Sequence, residues 1–144
     1  MNSHNHPMFG SIGTYLYRAL AGINLEPGSA GYKKIRIEPQ VVRDLAYAAG
    51  STETIKGMVM SSWKRSHTDK TFKLEVQIPV NSEAEIVIPK LDLQKYLIKE
   101  SGKVLWQNSQ YESGLAGISG AKETPNSFII GVGSGHYVFE LSED

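Results

Sequence analysis

Four histidines, fifteen carboxylates and two tryptophans are the side chains of this 144-residue chain best suited to chemistry or recognition. Cleavage of a glycosidic bond uses two carboxyl groups facing each other across the scissile bond, one as acid and one as base or nucleophile. Glu38, Glu75, Glu85 and Glu140 instead alternate with apolar neighbours, the pattern of a solvated sheet face, and no two acids stand out as a couple. His4 and His6 open the chain two residues apart, while His67 and His136 fall in expected turns far away. A metal site needs a third ligand at a credible position and none is evident, so no metal and no cofactor are expected. His6 is nevertheless distinctive. Gly10 and Gly13 follow it at helical spacing and leave a lane with almost no side-chain bulk, which a neighbouring helix or a ligand could approach closely.

The remaining candidates have plainer readings. "GVGSGHY" (residues 131–137) looks like a phosphate-cradling loop, but it leads into a strand pattern rather than a helix N-terminus, so a hairpin is expected. Ser11, Ser61, Ser62 and Ser134 lack the sharp elbow of a serine nucleophile. Trp63 lies on an expected strand and reads as core. Trp106, at the end of another, reads equally well as core or as a surface for stacking on a sugar ring, with Tyr111 and Tyr96 as companions.

Two kinds of element must position these residues. From Met8 to Ile23 the large apolar residues recur at helical spacing, with Asn5 as N-cap, Pro7 in the first turn and Gly22 at the stop. From Tyr32 the period becomes two. "YKKIRIEP", "GMVMSSWKRS", "TFKLEVQIP", "SEAEIVIPK", "YLIKES", "SFIIGVG" and "HYVFEL" read as strands, with "DLAYAAG" as a weaker one, separated by short polar turns. Residues 107–123 read as a loop or irregular strand. Seven or eight short strands of this kind predict a mainly β protein, an antiparallel β-sandwich of jelly-roll type preceded by one helix.

Bulk properties narrow the classes. Fifteen basic and fifteen acidic residues give zero formal charge, so neither nucleic acid nor an anionic membrane is an expected partner. The absence of cysteine excludes disulfides and thiolate metal sites. No apolar run approaches the ~20 residues of a membrane span, and the first ten residues do not read as a signal peptide.

"NHPMFGSIGTYLYRALAGI", "PGSAGYKKIRIEPQ", "GMVMSSWKR" and "FKLEVQIPVNSEAEIVIP", in that order, resemble the C-terminal end of bacterial α-L-rhamnosidases. The resemblance implies that residues 1–31 are the last helix and exit loop of an (α/α)6 catalytic barrel, and that residues 32–144 are the C-terminal β-sandwich domain. It implies that the parent removes terminal α-L-rhamnose from glycosides by inverting hydrolysis. The catalytic carboxylates would lie upstream, leaving this stretch inactive by itself, with no catalytic residue of its own. His6, and Asn5 beside it, would line the rhamnose pocket. The partners implied are the barrel of the same chain and rhamnosides as substrate, and an exposed helix face would favour a dimer through that helix. An independent carbohydrate-binding module, with Trp106 and Tyr111 as stacking residues, and an assembly domain without sugar affinity are the rival readings.

Overall fold

The computed structural model describes residues 13, 15–26, 29, 31–42 and 44–144. Asn5 and His6, and the glycine lane as far as Gly10, lie outside the described residues. What is described of the N-terminal helix is its end, a π-helical turn at Leu16–Leu20. Twelve strands follow: β1 (Ile23–Leu25), β2 (Lys34–Ile37), β3 (Tyr47–Thr54), β4 (Gly57–Ser66), β5 (Thr71–Ile78), β6 (Glu83–Pro89), β7 (Leu97–Glu100), β8 (Lys103–Gln107), β9 (Gln110–Tyr111), β10 (Ile118–Glu123), β11 (Ser127–Val132) and β12 (Gly135–Ser142). They form a five-stranded sheet in the order β1-β2-β6-β11-β10 and a seven-stranded sheet in the order β3-β4-β5-β12-β7-β8-β9. All pairings are antiparallel except β2 with β6.

The alternation that predicts the strands also builds the core. Ile35, Ile37, Ile86, Ile88, Phe128 and Ile130 of one sheet face Val59, Trp63, Phe72, Leu74, Val76 and Phe139 of the other, all essentially without exposure. Burying a side chain of this size contributes about 1.5–3 kcal/mol, so this double row dominates the fold. Polar residues between them face solvent, where Lys73 pairs with Glu140 and Glu75 with His136. The acids expected on solvated faces are there.

Four local expectations change. Ile23 is not the last helical residue: Gly22 turns the chain at φ 75°, and Ile23 starts β1 opposite Ile37. The five-stranded sheet therefore begins upstream of residue 32. Residues 107–123, read as a loop or irregular strand, contain β9 and the edge strand β10, which has an irregular register between Ile118 and Gly120. "GVGSGHY" is not a hairpin. β11 and β12 belong to different sheets, and Gly133–Ser134 carries the chain across the sandwich, with Gly135 at φ 153°. His136 is accordingly a strand residue, opposite Gln77, rather than a turn residue.

Candidate functional site: the helix junction

The sandwich grips the end of the helical turn through its carbonyls. A helix terminus leaves its last C=O groups without intrahelical donors, and here several other elements supply them. Asn24 Nδ2 donates to Arg18 O (3.0 Å) and Gly22 O (3.1 Å), Gln40 N to Ala19 O (2.8 Å), and Glu38 N to Gly22 O (2.8 Å). The indole N–H of Trp63 donates to Leu20 O at 2.7 Å from within the core, where the ring has no exposure. Ala21 N closes the π-type bond to Leu16 O. Gly22 is obligatory at this point. Besides its positive φ, a Cβ there would fall 2.3 Å from the nitrogen of Pro39.

Beyond this socket the turn is bare. Ala19 and Ala21 are buried, whereas Tyr15, Leu16 and Tyr17 are 57, 48 and 40% exposed. The Tyr17 ring lies against Gly50 of β3. Among the described residues an apolar face is thus hydrogen-bonded from below and exposed above.

The aromatic residues considered for sugar stacking do not offer a platform. Trp106 is 7% exposed and packs edge-to-face on Phe128 at 5.2 Å between ring centroids. Tyr96 meets Phe128 in the same way at 5.2 Å. Tyr111, opposite Trp106, is half-buried against the same core. Lys90 lies over the Tyr96 and Phe128 rings, 5.3 and 5.4 Å from their centroids, and is tied by Glu123. Sugar stacking needs an open ring face, and this cluster spends its faces on the core and on a lysine.

A groove of about 590 Å³ lies on the five-stranded sheet, bounded by Glu26, Lys34, Glu83, Glu85 and Ser119 over Gly131. Beside it Arg36 bonds Glu38 and Glu85 at 2.7 Å each and approaches Glu26 at 3.6 Å. The guanidinium pKa is raised, chiefly by the hydrogen bond to Glu38. Among the described residues no set of three or more His, Asp or Glu could hold a metal ion. Nor is any described helix long and apolar enough to cross a membrane.

Comparison with known proteins completes the site. The model of the bacterial α-L-rhamnosidase C-terminal domain matches residues 22–104, from the obligatory glycine to β8. The chain belongs to this family. An α-L-rhamnosidase of Formosa agariphila is 43% identical over 89 residues, covering 62% of this chain and 9% of that protein. The structure of an α-L-rhamnosidase from Dictyoglumus thermophilum superposes with a TM-score of 0.80 at 38% identity over 99% of this chain and 15% of the other. That of the Streptomyces avermitilis α-L-rhamnosidase complexed with L-rhamnose gives 0.71 at 26% identity, covering 97% and 12%. This rhamnosidase C-terminal domain thus spans about a tenth of the length of the curated relatives it matches. Sequence reasoning placed Trp63 in the core but missed its hydrogen bond. The available signal was that a buried indole N–H needs an acceptor.

Proposed function

We propose that this domain closes an α-L-rhamnosidase whose catalytic part lies upstream, and that it works by fixing the helix that leads into it. The parent would remove terminal α-L-rhamnose by inverting hydrolysis, with both carboxylates supplied by the upstream part. Asn5 and His6 would line the sugar pocket, where an imidazole can exchange hydrogen bonds with ring hydroxyls from either nitrogen. The observation that carries this reading is the set of donors from Asn24, Gln40 and Trp63 on the helix carbonyls of Arg18, Ala19 and Leu20. The open face of Tyr15, Leu16 and Tyr17 supports the same reading, as the surface the upstream part would cover.

The test is rhamnoside hydrolysis by a rhamnosidase ending in this sequence. His6→Ala should lower kcat/KM at least tenfold, about 1.4 kcal/mol, without lowering Tm, and the 144-residue chain alone should release no rhamnose. Unchanged kinetics in the His6 variant would remove the pocket role. Saturable NMR shifts at Trp106 and Tyr111 on adding L-rhamnose to the isolated chain would favour a binding module instead, and their burial predicts none.

A further inference from the structure

Each sheet has two outer strands, β1 and β10 in one and β3 and β9 in the other, and they are not equally protected. An outer strand presents unpaired N–H and C=O groups to any chain that can pair with them. Folds suppress this with short strands, charges, proline or bulges. β1 has three residues and β9 two. β10 has an irregular register between Ile118 and Gly120 and ends in Lys122 and Glu123. β3 is the least protected of the four. It runs for eight residues, Tyr-Ala-Ala-Gly-Ser-Thr-Glu-Thr, in unbroken register with β4, without proline or lysine and with Glu53 as its sole charge.

The phase of its free groups can be fixed. Arg65 N donates to Ala46 O one pair beyond Tyr47↔Lys64, so even-numbered residues of β3 exchange bonds with β4. The odd-numbered residues, Tyr47, Ala49, Ser51 and Glu53, therefore turn N–H and C=O to the open side. Among the described residues no strand pairs there.

We propose that β3 pairs antiparallel with β3 of a second copy of this chain, about a two-fold axis through Gly50. In this register Tyr47 of one copy lies opposite Glu53 of the other, and Ala49 opposite Ser51. Every outward group from Tyr47 to Glu53 then finds a partner, and each strand's charge meets a tyrosine rather than its like. A shift of one residue sets outward groups against inward ones. A shift of two strands Tyr47 against the turn or Glu53 against the loop before β3. The strand is thus self-complementary in one register, as a two-fold interface requires, and this favours a second copy over an unrelated extended segment. The inference stands on the strand edges and not on the assignment of function.

Sedimentation velocity of the 144-residue chain over a concentration series should show the mass doubling as concentration rises. Ala49→Lys with Ser51→Lys sets lysines opposite each other across the axis and should hold the chain monomeric. Ala49→Glu with Ser51→Glu should do the same. An equimolar mixture of the two variants should restore the doubled mass, since lysines then face glutamates. Both positions are on the exposed face of β3, and circular dichroism checks that each variant is folded. A wild-type chain that stays monomeric overturns the proposal. So does a dimer indifferent to the lysine pair but lost with Leu16→Ser, which would put the contact on the helical turn. Monomeric variants that fail to associate when mixed overturn the register.

Discussion

Trp63 and Trp106 sit on β4 and β8 of the same sheet, both buried and both beside a phenylalanine. Trp106 contributes ring surface: it closes one region of the core against Phe128, with Tyr96 and Tyr111 nearby. Trp63 contributes surface and a directed N–H, which reaches out of the core to Leu20 O. The first is a packing site, where shape is what matters. The second is a joint between two parts of the chain, where one hydrogen bond sets an orientation. Buried tryptophans in one core are therefore not equivalent, and the N–H partner tells them apart.

The largest effect is expected from truncation. Trp63→Ala should cost about 3–5 kcal/mol in urea unfolding, toward the top of that range because Leu20 O is also left unpaired. Trp106→Ala should lie lower in the same range, and equal costs would mean that the tie to Leu20 adds nothing. Conservative changes sharpen the contrast. Trp63→Phe should cost about 1–3 kcal/mol and speed amide exchange at Ala21 in the helical turn. Trp106→Phe should cost less than about 1.5 kcal/mol and leave that exchange unchanged; faster exchange in both variants would sink the distinction.

Tyr137 is a smaller case of the same kind, a buried ring whose hydroxyl lies 3.2 Å from Gly117 O and 3.2 Å from Gly133 O. Tyr137→Phe should cost about 1 kcal/mol at neutral pH. Burial, with Glu100 adding to it, raises the phenol pKa above its ordinary 10.0. The neutral phenol therefore contributes stability below pH 10.0 that is lost as pH rises from there through the folded pKa. The variant should show a flatter alkaline limb in a plot of unfolding free energy against pH. The smallest effect belongs to the surface. Arg36→Met should change stability by about 1 kcal/mol or less, and the difference should shrink in high salt because its carboxylate partners are solvated. A salt-independent loss would instead point to packing by the arginine stem.

The sandwich was legible wherever one face is apolar and the other charged, as in β5, where Phe72, Leu74, Val76 and Ile78 alternate with Lys73, Glu75 and Gln77. It was less legible where side chains are small. β3 was read only in its first half because Gly50, Thr52 and Thr54 on its inner side are only half-buried, and β10 could be read no further than a loop or irregular strand for the same lack of contrast. Apolar spacing ran on past the end of the helical turn at Leu20, since Ile23 continues the helical count while serving β1. Glycines after β11 suggested a hairpin because composition reports a turn but not which sheet the next strand joins. The capping donors on the helix carbonyls could not be read at all. They converge from Asn24, Gln40 and Trp63, residues that only the tertiary fold brings to one place.

The parallel pairing of β2 with β6 sets an order of assembly. β3, β4 and β5 are successive antiparallel neighbours, so this meander can close as it leaves the ribosome. β2 has no such local partner on its inner side. It waits for Glu83–Ile86 to be made, and β6 in turn waits for β11. Non-local pairings of this sort slow folding and prolong the life of open edges. β1 and β2 can pair with each other at once through Ile23↔Ile37 and Leu25↔Ile35, but the inner edge of β2 stays open until β6 is made.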